Sequence, residues 1–339
     1  MRLNGLGMNW TKRTMRVPVL AAAALAMLVT LLANSWASAA EYKVTVKSAI
    51  PYAEHDGVRL VGDLYVPEGR SKAPVVVAFH GGAWRSGSRT FYRYWGPFLA
   101  RNGYALFTVD YRLGKPGRYP AAVQDAKAAV EFVRARAEEF NIDPQRVALM
   151  GDSAGGHLAA LLALAADRFT EGHGDDANAA TPIDVKAVVG FYGIYDLLAQ
   201  WNHDAQAVQK QENLALRNRD LIPRPHDSIT EQFLGATPAQ NPRIYSESSP
   251  ISHATADAST ADRHKARFLL INGARDELVD PESQSGAFAT ALTSAGFSVQ
   301  RLVIAEAAHF WVSDPFEREP HSFGAMTAKP LLRFLDASL

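Results

Sequence analysis

Gly151-Asp152-Ser153-Ala154-Gly155 sets a serine between two glycines in the pattern G-x-S-x-G. A serine hydroxyl is a weak nucleophile until a neighbouring base takes its proton. The pattern carries chemistry only where the chain presents that hydroxyl. Arg146-Val147-Ala148-Leu149-Met150 precedes it, a short apolar run suited to a strand. Gly156-His157-Leu158-Ala159-Ala160-Leu161-Leu162-Ala163-Leu164 follows, rich in helix formers. Strand, tight turn and helix form the setting in which a serine stands exposed above a sheet. Its place at the helix N-terminus surrounds it with outward-pointing backbone N–H groups. The glycines at 151 and 155 are expected to let strand and helix approach closely.

The base for such a serine is usually a histidine oriented by a carboxylate. Of ten histidines, only His309 directly follows the last expected strand, residues 299–304. Asp276, in Gly273-Ala274-Arg275-Asp276, directly follows the strand expected at 268–271. Both loops are expected to leave the sheet edge that carries the serine, in the chain order Ser…Asp…His. Glu277 and Asp196 are the competing acids, whereas Asp280 before Pro281 suits a helix cap. The oxyanion of a tetrahedral intermediate needs preorganised N–H donors. The Ala154 N–H is one candidate. Phe79-His80-Gly81-Gly82-Ala83-Trp84 offers the rest, since paired glycines let amides turn toward a ligand. His80 is expected to brace this loop. Trp84, Trp201 and Trp311 are candidates to line a pocket, with core packing the equal alternative for each. No clustered ligand spacing is present, so no metal is expected. His173, in a polar stretch, is expected to belong to a solvated loop.

Elements that would position these groups alternate along the chain. Residues 42–46 and 58–66 have period-two polarity and read as antiparallel strands with one wet face. Residues 74–79, 104–109, 147–150, 187–190, 268–271 and 299–304 are read as apolar runs, expected to be buried on both faces. Helical spacing marks 120–140 and 281–295, and a last helical segment is expected over 330–335. Strands alternating with helices imply a mostly parallel, eight-stranded α/β sheet covered on both faces. Residues 197–265 break the rhythm with polar and helical stretches and several prolines. They read as a cap-like insertion over the sheet edge where ligands bind. Ser228-Ile229-Thr230-Glu231 within it looks like a capping box.

The chain opens with Arg2, Lys12, Arg13 and Arg16, an apolar run over 17–33, and Ala37-Ser38-Ala39. That is the pattern of a secretory signal peptide over 1–39, so one domain is expected over 40–339, in the periplasm or medium, with no stable membrane anchor after processing. The 339 residues include no cysteine, which excludes disulfides. Four of the 35 basic residues and none of the 35 acidic ones lie before residue 41, so the remainder is slightly acidic. No nucleic-acid partner is expected, because that needs a basic face.

With these pieces in view the chain resembles α/β-hydrolases of the hormone-sensitive-lipase-like type, near the bacterial feruloyl-esterase-like and carboxylesterase branch. The resemblance rests on His80-Gly81-Gly82-Ala83-Trp84, Asp110-Tyr111-Arg112, Tyr119-Pro120-Ala121-Ala122-Val123-Gln124-Asp125, Gly151 to His157, Ser249-Pro250, Gly273 to Asp276, and His309-Phe310. It implies that Gly81, Gly82 and Ala154 give the oxyanion donors. Ala83 stands where the lipase-like motif has a third glycine, nearer the feruloyl-esterase-like and formamidase-like branches. The expected activity is that of an exported serine esterase acting on a small-molecule ester without a cofactor. An arylformamidase or small peptidase with the same triad, and a non-catalytic binding protein on this scaffold, are the alternative readings.

Overall fold

An apolar run that is buried on both faces needs neighbouring strands beside it and helices above and below. The computed structural model describes residues 41–169, 183–217, 228–255 and 266–339. The expected signal segment and His173 lie outside the described residues. Strands β1 (Val44–His55) and β2 (Val58–Pro67) form a hairpin closed by Asp56-Gly57, both with positive φ. That dipeptide matches the right-handed twist of the flanking strands. There follow β3 (Ala73–Phe79), α1 (Trp95–Arg101), β4 (Ala105–Val109), α2 (Ala121–Ala135), β5 (Ile142–Asp152) and α3 (Ala154–Ala165). Then come β6 (Ala187–Phe191), α4 (Leu197–Arg217), α5 (Ile229–Leu234), α6 (Pro242–Ser248), β7 (Arg267–Gly273), α7 (Ala287–Ser294), β8 (Val299–Ile304) and α8 (Phe323–Asp336).

The strands form one eight-stranded sheet in the order β1-β2-β4-β3-β5-β6-β7-β8. Only β2 runs against its neighbours; β4, β3, β5, β6, β7 and β8 are parallel. The alternation of side chains splits the core in two. Val75, Val77 and Phe79 of β3 join one cluster with Val123, Val130 and Leu158 from α2 and α3. Val76 and Ala78 join the other, with Trp95, Leu99, Phe334 and Leu335 from α1 and α8. Every residue of β3, β4 and β6 is buried, as their unbroken apolar character requires, whereas β8, expected to be buried on both faces, is an edge strand that leaves Gln300 and Val303 exposed.

Three local readings change. The last helix starts at Phe323, not near 330, because Ser322 caps it by accepting the Ala325 N–H at 3.3 Å. Pro330 therefore lies inside the helix rather than opening it. The 281–295 helix begins as a π-helical turn, Glu282–Gly286, before α7, with Asp280 Oδ1 accepting the Ser283 N–H at 2.7 Å. In the 197–265 stretch the described residues hold α4, α5 and α6 and no strand. Ser228 Oγ accepts the Glu231 N–H at 3.4 Å, half of a capping box. The Glu231 carboxylate instead accepts the Trp201 Nε1–H at 2.5 Å.

Candidate active site

Ser153 sits between β5 and α3 with φ 51 and ψ −117, a backbone conformation that non-glycine residues rarely adopt. The tight turn holds because its neighbours leave no room for anything larger. A Cβ on Gly155 would lie 1.9 Å from the Phe79 carbonyl oxygen, and one on Gly151 would lie 2.1 Å from the Gly155 oxygen. The Ser153 N–H donates to Phe191 O at 2.8 Å, tying the turn to β6.

The loops after β7 and β8 are stapled together. Ala274 N–H donates to Ile304 O and Arg275 N–H to Ala307 O, each at 2.9 Å. Asp276 and His309 thereby share one sheet edge with Ser153. His309 Nδ1 lies 2.6 Å from Asp276 Oδ2, and His309 Nε2 lies 3.0 Å from Ser153 Oγ. Asp276 Oδ1 accepts the Leu278 and Val279 N–H groups at 3.0 Å each, which fixes the carboxylate. The Asp276 side chain is fully buried and that of His309 only 4% exposed. With Asp276 as acceptor, Nδ1 carries the ring proton and Nε2 is left to accept from the serine hydroxyl. The imidazole is also held by ring contacts, with Tyr192 and Phe310 centroids each 4.4 Å away. Phe310 is 59% exposed and lies beside His309 at the surface. A serine, an oriented imidazole and a buried carboxylate in this order can transfer a proton as Oγ attacks a carbonyl.

Neither competing acid hydrogen-bonds to His309, whose Nδ1 faces Asp276. Asp196 Oδ1 accepts the Ala199 N–H at the start of α4. Glu277 is exposed, and its carbonyl faces His203 Nε2 at 2.9 Å.

The loop after β3 is braced by His80. Its Nδ1 lies 2.7 Å from Gly81 O, its ring stacks on Tyr111 at 4.4 Å, and the Tyr111 hydroxyl donates to His80 O at 2.8 Å. Burial pushes the His80 pKa down to about 4, so the ring is neutral at pH 7. Gly82 has φ 113, and a Cβ there would lie 2.1 Å from Ser86 O. Its N–H has no acceptor among the described residues, and Ala154, first in α3, has no intrahelical acceptor for its own. Gly81 departs from the expectation. Its N–H donates to Asp152 Oδ1 at 2.9 Å and so is not free to meet a substrate oxygen.

Asp152 carries no signal in the sequence beyond filling a variable position of the pentapeptide. It is buried, and Oδ1 also accepts the Tyr92 hydroxyl at 2.9 Å. Burial raises its pKa to about 6, even though the Tyr92 and Gly81 donors pull the other way.

The tryptophans divide. Trp84 is buried, stacked on Phe233 at 4.2 Å and edge-on to His157 at 5.1 Å, and lines a cavity beside Ala83. Trp201 clips α4 to α5 through Glu231. Trp311 is 2% exposed and packs on Phe191 and Tyr192, a core residue rather than a pocket wall. Among the described residues no group of three His, Cys, Asp or Glu could hold a metal ion. No helix among them is long and apolar enough to cross a membrane.

A family model described as BD-FAE matches residues 62–292. Esterase LipC of Mycobacterium tuberculosis is 30% identical over 227 residues, 67% of this chain and 50% of that protein. A probable isoprenylcysteine alpha-carbonyl methylesterase of Oryza sativa, ICMEL1, is 36% identical over 160 residues, 46% of this chain and 36% of that protein. The chain thus spans about half the length, or less, of these curated relatives. The solved structure of a thermophilic esterase from Thermogutta terrifontis, Est2, superposes with a TM-score of 0.63 at 24% identity, covering 88% of this chain and 92% of that one. That likeness shows the fold, the α/β-hydrolase fold.

Proposed function

Because this chain belongs to the BD-FAE family and has the α/β-hydrolase fold, we propose that it is an exported serine carboxylesterase for small or short-chain acyl esters. The observation that carries the reading is the continuous hydrogen-bond chain Ser153 Oγ, His309, Asp276.

Ser153 Oγ attacks the ester carbonyl while His309 Nε2 takes its proton. The carbonyl electrons move to oxygen, and the N–H groups of Gly82 and Ala154 receive that charge. As the tetrahedral intermediate collapses, the ester C–O bond breaks and imidazolium gives its proton to the leaving alcohol. Water, deprotonated by His309, then attacks the acyl-enzyme and releases the acid. Asp276 keeps Nδ1 protonated and stabilises the imidazolium. No step calls for a cofactor. Acetyl and feruloyl groups are both within this reading.

Export is supported by the basic, apolar and Ala-x-Ala pattern of residues 1–39. The short-chain preference is supported by the polar character of 197–265, which offers no broad apolar face for a lipid surface.

A panel of p-nitrophenyl esters from two to twelve carbons, with methyl ferulate, N-formylkynurenine and an aminoacyl anilide, tests the reading. Ester turnover is expected, with rates falling beyond roughly six to eight carbons. A methylene that fits a pocket gains only about 0.8 kcal/mol, so a steep fall means steric exclusion. Twelve-carbon esters outpacing two- and four-carbon ones would contradict the short-chain reading. Turnover of N-formylkynurenine alone would replace the esterase reading with a formamidase one.

A further inference from the structure

Beside the glycine loop a cavity of about 100 Å³, open to solvent, lies between the loop after β3, the loop after β4 and helix α5. Its inner wall belongs to the loop already described: Ala83 follows Gly82, and Trp84 touches His157, whose N–H donates to Ser153 O. Arg85, Lys115 and Arg118, all exposed to solvent, line it, and among the described residues no acidic side chain does.

Two arginines of these loops are matched. Arg89 pairs with Asp63 and Asp110, and Arg112 with Asp56 and Asp125. Lys115 and Arg118 differ: neither forms an ion pair among the described residues. Arg118 Nε donates to a neutral acceptor, Gln232 O, at 3.1 Å, which orients the guanidinium. The walls are also assembled in advance. Gly114 N–H donates to Trp84 O at 2.8 Å, Tyr119 N–H donates to Phe233 O at 2.9 Å, and Phe233 stacks on Trp84. Three cations converging on one hollow give it a positive potential that attracts an anion.

We propose that this cavity is a subsite for an anionic group, a carboxylate, carried by the substrate a short spacer away from the ester carbonyl. An arginine fork and a lysine point charge together suit a carboxylate. The substrate class is then an ester that bears a free acid, such as a half-ester of a dicarboxylic acid or an ester on an acidic sugar. This inference rests on the esterase reading.

Two near-isosteric pairs test it on the whole protein. Mono(4-nitrophenyl) glutarate is set against 4-nitrophenyl 4-carbamoylbutanoate for an anion on the acyl side. For an anion on the alcohol side, 4-acetoxybenzoate is set against 4-acetoxybenzamide. At low salt and pH 7.5, kcat/KM is expected to favour the anion by about tenfold in one pair, and 0.5 M NaCl should shrink that ratio. Lys115→Gln and Arg118→Gln should each lower the ratio severalfold, and Lys115→Glu should lower it further. A wild-type ratio at or below one in both pairs overturns the subsite, as does a ratio that no substitution moves. Turnover of the neutral members by wild type reads the esterase assignment separately. If no ester is turned over, calorimetric titration of glutarate against glutaramide decides the subsite alone. Binding of the dianion that weakens in Lys115→Gln supports it, and equal or absent binding overturns it.

Discussion

The Gly81 N–H donates to Asp152 Oδ1 at 2.9 Å, so the residue before Ser153 holds the loop that follows β3. The same oxygen accepts the Tyr92 hydroxyl at 2.9 Å. The Ser153 turn and the glycine loop are thereby tied together, and the amide of Gly82 is left without an acceptor among the described residues while that of Gly81 is engaged.

Asp152→Ala should therefore lower kcat by about 10² with little change in KM, comparable to losing one oxyanion donor. Asp152→Asn keeps an acceptor oxygen and should retain most of the rate. Steady-state kinetics decide this; an Asp152→Ala variant at wild-type kcat would show that the coupling does not matter.

Ser153→Ala and His309→Ala should each cost about 10⁴ or more in ester turnover, and the double variant no more than either. Asp276→Asn should cost somewhat less. Asp196→Asn should stay near wild type, because that carboxylate caps α4. A folded Ser153→Ala protein with a tenth of the activity would remove Ser153 from the mechanism.

Stability should fall as pH drops from about 6.5 toward 4. His80 and His157 are buried, and their pKa values are lowered from 6.5 to about 4. Across that window the unfolded chain binds protons that the native rings refuse, so each ring removes stability on the order of 3 kcal/mol. Asp152 acts oppositely, since its raised value of about 6 lets the native state hold a proton that the unfolded chain releases above 3.8. Two rings against one carboxyl leave a net loss. Tm measured from pH 7 to 4.5 should decline, and less steeply in His157→Gln; identical slopes would refute the assignment to buried rings.

Gly155→Ala should abolish activity and lower Tm markedly. The new methyl would press on the Phe79 and His80 carbonyl oxygens, at 1.9 and 2.8 Å, and backbone atoms of a central strand cannot yield. Overpacking of this kind costs about 1–3 kcal/mol or more. Normal Tm and turnover in this variant would mean the turn has slack that the structure does not show.

Expression of the full chain in a bacterium with a Sec pathway should yield periplasmic protein that begins near Ala40. N-terminal sequencing checks it, and membrane-bound protein starting at Met1 would favour an uncleaved anchor instead.

Much of this architecture was readable residue by residue, because its signals are local. A buried parallel strand must be apolar throughout, so β3, β4, β5, β6 and β7 announced themselves and set the sheet edge. The residues that follow such strands are confined to that edge, which is why the sequence alone places Ser153, Asp276 and His309 near one another. What stayed hidden depends on partners distant in the chain. Gly81 and Asp152 are 71 residues apart, and only the fold brings the amide to the carboxylate that consumes it. Trp84, Trp201 and Trp311 look alike in sequence, yet the neighbours that tertiary packing supplies make one a cavity wall, one a clip between helices and one a core residue. The cations of the cavity come from two loops, and Gln232 comes from a third segment. Their shared hollow exists only once aromatic stacking and backbone hydrogen bonds have drawn those segments together.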